Sequence, residues 1–97
     1  ISIITPFYNG GSTLAETSNS VLSQTYPFFE WIIVNDGSPD KESVKELEKV
    51  AKLDNRIKVY HKENGGPSDT RDFGIKKASK DTKYIFFLLH KISPFVN

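Results

Sequence analysis

Cysteine is absent from the 97 residues, tryptophan occurs once and histidine twice. Without cysteine there is neither a disulfide framework nor a thiolate zinc site, and the composition is compatible with a reducing compartment. His61 and His90 stand far apart with no third ligand at regular spacing, so no metal centre is expected on them and both read as solvated. No run of about 18 apolar residues occurs, so no segment of this part reads as a transmembrane helix. A dominant charge is also lacking: 13 Lys and Arg against 12 Asp and Glu, interspersed, leave a net charge of +1. That balance supplies no field to gather nucleic acid or an anionic membrane, and a nucleic-acid partner is not expected. No internal repeat, low-complexity tract or interdomain linker is visible.

What the chain does contain is an alternation of apolar runs and capped polar segments. Ile1-Ser2-Ile3-Ile4-Thr5 reads as a short buried strand closed by Pro6, which has no N–H to give a ladder. Ser12 or Thr13 is expected to cap the next helix, with Thr13 and Glu16 at capping-box spacing and Leu14, Ser18, Val21 and Leu22 along its inner face, the helix ending by about Gln24. Phe29 to Val34 is apolar on both faces, as a central parallel strand is. Ser38 as N-cap, Pro39 at the first helical position, and Asp40 and Glu42 in the first turn predict a second helix with Val44, Leu47 and Ala51 buried. Its charged residues are its solvated face. Ile57 to Tyr60 alternates, as a strand near a sheet edge does. A third helix is expected over 68–79 and a fourth strand over Tyr84 to Leu89. Strand and helix in strict alternation predict an α/β fold with a mainly parallel, Rossmann-like sheet of about four strands, right-handed crossovers and helices on both faces.

The chemistry-bearing residues lie at the loop-to-helix junctions. In an open α/β sheet, ligands bind beyond the carboxyl ends of the strands. Asp36, Gly37 and Ser38 follow the second strand, and Tyr8-Asn9-Gly10-Gly11 follows the first in the same structural position. Tyr8 is either a surface tyrosine covering the sheet end or, together with Asp36, half of a base pocket: an aromatic stack and an acceptor for a ring imide. Asn64-Gly65-Gly66-Pro67-Ser68 opens the third helix, and its glycines allow close backbone approach. Arg71, Ile75 and Ala78 share one helical face, which directs the Arg71 guanidinium toward the core. Two partners stand open for it: an ion pair with Asp36 or Asp69, or the diphosphate of a nucleotide. Gly74 reads as a point of close helix-to-sheet packing.

These segments, Ile1 to Asn9, Ser20 to Tyr26, Phe29 to Asp40, Arg56 to Tyr60, Glu63 to Ile75 and Tyr84 to Leu88, resemble in order and spacing the nucleotide-binding half of the family 2 glycosyltransferases, which have the GT-A fold. The resemblance covers most of the chain and stops at Leu88. It implies a nucleotide-sugar donor, UDP-linked, and a saccharide or lipid-linked acceptor, with inverting transfer to an acceptor hydroxyl and a place in cell-envelope polysaccharide synthesis. It further implies that Tyr8 stacks on uracil and that Asp36 contacts it, and it assigns nucleotide binding to Pro6, Tyr8, Asn9, Asp36, Gly37, Ser38, Gly66 and Arg71. Asn35 stands where many members carry another acid, and Asp72 where asparagine is usual. The family's divalent cation, Mn²⁺ or Mg²⁺, is held by an Asp-x-Asp motif, but this chain reads Leu89-His90-Lys91 there, so neither oxygen ligand is present. The catalytic base is expected downstream.

The chain opens within an apolar run and without methionine, so residues 1–97 are expected to be a single partial domain, with 89–97 an atypical tail. Left without its acceptor half, it is expected to be inactive alone, to expose Phe86, Phe87 and Leu88 and to self-associate. The resemblance implies a cytoplasmic protein, peripheral at the inner face of the membrane in its intact form. Two rivals remain: a non-catalytic nucleotide-binding or scaffold domain, and a nicotinamide-binding Rossmann domain in which Asp36 meets a ribose. The latter needs Gly-x-Gly-x-x-Gly after the first strand, and Phe7 to Ser12 lacks it.

Overall fold

A computed structural model describes residues 1–8, 11–23 and 27–88, and the side chains of these except at 11–13 and 67. The element order is β1 (Ser2–Phe7), α1 (Gly11–Leu22), β2 (Glu30–Asp36), α2 (Lys41–Ala51), β3 (Ile57–Lys62), α3 (Pro67–Lys77) and β4 (Ile85–Phe87). The four strands form one sheet in the order β3-β2-β1-β4, every pair parallel. β2 runs apolar from Trp31 to Val34 because it lies inside the sheet and both of its faces are covered. On one face Ile3, Phe7, Trp31 and Ile33 pack with Leu14 and Val21 of α1 and Leu47 and Val50 of α2. On the other, Ile4, Ile32 and Val34 meet Phe73 and Ala78 from α3 and its end. The expected architecture, helices on both faces of a parallel four-strand sheet with β3 at its edge, is the one observed.

Single side chains adjust several boundaries. α1 starts at Gly11, so Ser12 and Thr13 lie within its first turn and not at its cap. Leu14, Ser18 and Val21 are buried as expected. β2 continues through Asn35 and Asp36 because β3 also runs two residues further, pairing His61 with Asn35 and Lys62 with Asp36. That extension moves the α2 cap. Asn35 accepts the Ser38 N–H at 3.0 Å, holding Ser38 in the turn, and Asp40 becomes the N-cap, accepting from the Glu42 N–H at 3.2 Å and the Ser43 hydroxyl at 2.8 Å. Pro39 therefore precedes the cap. With Ser43 tucked beneath Asp40, the buried stripe of α2 is Ser43, Leu47 and Val50, and Val44 and Ala51 are half-buried.

α3 begins with Pro67 at its first position after Gly66 as N-cap, and its inner row is Thr70, Gly74 and Ala78. A Cβ at Gly74 would lie 2.5 Å from Ile4 Cγ2, so glycine is what lets the helix approach β1 closely. The close packing expected at Gly74 is therefore present, but Arg71 is displaced one position, or about 100°, from the inner row. It is exposed, as is Ile75.

Candidate functional site

The register brings two of the candidates to one edge. Phe7 pairs with Asn35, so Tyr8 leaves the end of β1 beside the place where Asp36 ends β2. Tyr8 is 40% exposed, leaving ring surface open to a ligand, and Asp36 is buried. Pro6 lies inside β1 opposite Val34. Asn9 falls outside the described residues.

Asp36 is the hub of this edge. Its Oδ1 accepts from Lys62 Nζ at 2.8 Å and from the Gly65 N–H at 2.9 Å, and its Oδ2 from the Gly66 N–H at 3.1 Å. Its backbone carbonyl accepts from Asn64 Nδ2 at 2.9 Å. Burial pushes the Asp36 carboxyl up, but the Lys62 ammonium, the Gly65 N–H and the Thr70 hydroxyl together outweigh it and hold the group ionised below its ordinary value. The same contacts raise Lys62, chiefly through Asp36 and then Asp69, against the opposing effect of its burial. The opening loop of α3 is thus wrapped onto the end of β2, which places its first backbone N–H groups at the ligand edge.

Two glycines make this wrapping possible. Gly37 has φ +70°, and a Cβ there would sit 2.6 Å from the Asn64 backbone N. Gly66 has φ +91°, and a Cβ there would meet open space. Ser38 stands in the turn below, its N–H on Asn35. Because that bond uses Asn35 Oδ1, Asn35 Nδ2 faces His61 Nδ1 at 3.0 Å and must donate to it, which leaves the proton of a neutral His61 on Nε2. An aspartate at 35 could bond His61 only as an acceptor, with the His61 proton on Nδ1.

Arg71 is not directed toward the core as expected, and of the two partners left open for it the ion pair with Asp36 or Asp69 is not formed. Lys62 takes both acids, at 2.8 Å and 2.7 Å. The Arg71 guanidinium lies 5.9 Å from the centroid of the Phe87 ring, over β4. Sequence reasoning passed over Lys62, and the signal that could have found it is its place opposite Asp36 once β3 is run in parallel register with β2. His61 is exposed as expected, although it is bonded to Asn35; His90 and Leu89 to Asn97 lie outside the described residues. Among the described residues no three His, Asp or Glu side chains come together as a metal site. The acidic pair that the resemblance calls for falls on Leu89-His90-Lys91, outside the described residues. None of the described helices is long and apolar enough to cross a membrane.

Comparison with known proteins identifies the family. The family model of Glycosyl transferase family 2 matches residues 2–88. An uncharacterized glycosyltransferase of Rickettsia bellii is 47% identical over 88 residues, covering 91% of this chain and 12% of the relative. The minor teichoic acid biosynthesis protein GgaB of Bacillus subtilis is 40% identical over 89 residues, covering 90% of this chain and 10% of GgaB. In structure, residues 1–349 of TarS from S. aureus superpose with a TM-score of 0.79 at 30% identity, covering 92% of this chain and 26% of that one. The chain therefore spans between a tenth and about a quarter of the length of these proteins. With the family match extending over nearly every described residue and the parallel sheet shared with TarS, this chain belongs to glycosyl transferase family 2 and has the GT-A fold.

Proposed function

We propose that this chain is the donor-binding part of a glycosyltransferase that moves a sugar from a nucleotide-sugar, UDP-linked, to an acceptor hydroxyl. The observation that carries the reading is the pairing of Phe7 with Asn35, which supports a pocket between the Tyr8 ring and the Asp36 carboxylate. A uracil stacked on Tyr8 would offer its imide N–H to that carboxylate, and the ionised state of Asp36 keeps it an acceptor. Gly37 and Ser38 shape the turn beneath the base, and the Gly66 N-cap leaves room beside it. Pro6 lies on the β1 side of the pocket, and the resemblance assigns Asn9 to nucleotide binding as well. Arg71 reaches the diphosphate by leaving the face of Phe87, since an exposed cation–π contact is worth only about 0.5–1 kcal/mol.

The transfer itself needs a general base to take the proton of the acceptor hydroxyl as its oxygen attacks the anomeric carbon and the nucleoside diphosphate departs. None of these residues can act as that base, because Asp36 is engaged on three sides as an acceptor and Arg71 is permanently protonated. We therefore assign donor binding, not proton transfer, to this part of the protein. The likeness to GgaB supports a cell-envelope polymer as the acceptor class.

Calorimetric titration of UDP into the chain and into its Asp36→Ala variant tests the reading. A hydrogen bond to a charged group is worth about 1.5–3 kcal/mol, so the variant should bind roughly tenfold to a hundredfold more weakly. Equal affinity of the two proteins would remove Asp36 from base recognition.

A further inference from the structure

Lys62 lies on the edge strand, yet its side chain is 11% exposed and its ammonium has no donor to spare. The three N–H groups meet three acceptors: Asp36 Oδ1 at 2.8 Å, Asp69 Oδ2 at 2.7 Å and the Glu63 carbonyl at 2.5 Å. One nitrogen thereby ties the end of β2, the end of β3 and the first turn of α3. An edge-strand lysine that served only solubility would extend into water and keep its rotamer freedom.

We propose that Lys62 is a positioning residue for nucleotide recognition: it fixes the Asp36 carboxylate so that one acceptor position faces the base. The proposal rests on the reading of Asp36 as the base acceptor. A carboxylate has about four lone-pair positions. In Asp36, Lys62 and the Gly65 N–H take both positions on Oδ1, and the Gly66 N–H takes one on Oδ2. Among the described residues the fourth is contested only by the Thr70 hydroxyl, which already has the Gly66 carbonyl as an acceptor at 2.8 Å. An incoming imide N–H can displace Thr70 without leaving either group unpaired. Remove Lys62 and the carboxylate is held only by the Gly65 and Gly66 N–H groups and gains a second open position, and Asp36 and Asp69 face the diphosphate with two uncompensated negative charges instead of a net charge of −1.

The charged and titratable groups around Asp36 are Lys62 from β3 and, through it, Asp69 from α3; His61 of β3 engages the adjacent Asn35, and Tyr8 follows β1. Of these only Lys62 brings a permanent positive charge onto the carboxylate at neutral pH. Its loss therefore moves the protonation of Asp36 to higher pH.

The test is titration of two ligands, uridine and UDP, into the wild-type chain, Lys62→Met and Asp69→Asn across acid to neutral pH. Lys62→Met should weaken uridine roughly tenfold and UDP at least as much, and shift the acid limb of binding to higher pH. Asp69→Asn loosens one anchor of the ammonium at an exposed position and should weaken uridine by roughly threefold, while the loss of a negative charge beside Asp36 moves the acid limb to lower pH, opposite to Lys62→Met. Loss of UDP affinity with uridine unaffected would overturn the proposal, because Lys62 would then be a charge for the diphosphate. Unchanged binding and an unmoved acid limb in both variants would overturn it equally. If Asp36→Ala leaves binding intact, the base-acceptor reading fails first; if Asp36→Ala weakens binding and the Lys62 and Asp69 variants do not, only the role of Lys62 fails.

Discussion

Asp36 and Gly37 show how closely binding chemistry and local folding are joined in this chain. Gly37 adopts φ +70° with the Asn64 backbone pressed against it, and Asn64 in turn donates to the Asp36 carbonyl. Gly37→Ala should therefore destabilise the chain by about 1–3 kcal/mol, from left-handed strain together with the 2.6 Å approach, as read by urea denaturation. Stability close to the wild type would mean that this turn can rearrange. Lys62 escaped the sequence reading for a physical reason: its bond to Asp36 spans 26 residues and exists only because β3 outlasts its apolar pattern. Asp36 itself was legible, because an acid after an apolar run at a strand end has few places to go but a ligand or a loop. Here the loop takes it at two positions and Lys62 of β3 at a third.

At the level of elements, the apolar periodicities specified the strands and helices well, and local hydrogen bonds shifted their ends. Ser38 and Asp40 both suit an N-cap; Asn35 decides between them by claiming the Ser38 N–H. Asp40→Ala should cost about 1 kcal/mol and lower the thermal midpoint, since it strips the bonds from the Glu42 N–H and the Ser43 hydroxyl. An unchanged midpoint would return the capping role to Ser38. Arg71 illustrates the sensitivity of a helix face to its starting point. The inner row passes through Gly74, where contact with Ile4 fixes the rotation of α3, and a residue one position away from that row points elsewhere. The spacing of Arg71, Ile75 and Ala78 was real, but it did not identify which row faced the sheet.

For the whole molecule, two ends of the sheet carry ionised acids. At the far end, burial pushes the Glu30 carboxyl up, but the Ser2 hydroxyl, the Ser79 N–H and Lys58 outweigh it and leave it below its ordinary value of 4.5. Asp54, bonded to the Arg56 side chain and backbone, is lowered to about 2. Asp36 is also lowered from 3.8. A depressed carboxyl contributes stability that is present above its unfolded value and lost as pH falls through its folded one. Stability should thus hold at neutral pH and decline below about pH 4.5, the decline continuing toward pH 2 as Asp54 protonates. Stability that rises on acidification in chemical denaturation would contradict this. β4 leaves Phe86 54% and Phe87 45% exposed beside an apolar groove of about 420 Å³ lined in part by Ile3, Val21 and Phe29. Sedimentation should show mass rising with concentration, and Phe86→Glu should suppress the rise; a strictly monomeric wild type would count against a sticky β4. Mn²⁺ should barely alter UDP affinity, because the residues proposed to meet the base are present and Leu89-His90-Lys91 offers no acidic pair.

The donor binding proposed for this chain comes down to a place, the carboxyl edge of the sheet between Tyr8 and Asp36. Backbone amide shifts recorded while UDP is titrated into the chain locate the ligand without any substitution. Saturable shifts are expected at Tyr8, Gly37, Gly65 and Gly66, with Glu30, Ser79 and Thr82 at the opposite edge unmoved. Shifts confined to the Glu30 edge or to the groove beside β4, or no saturable shift at all, would contradict that placement.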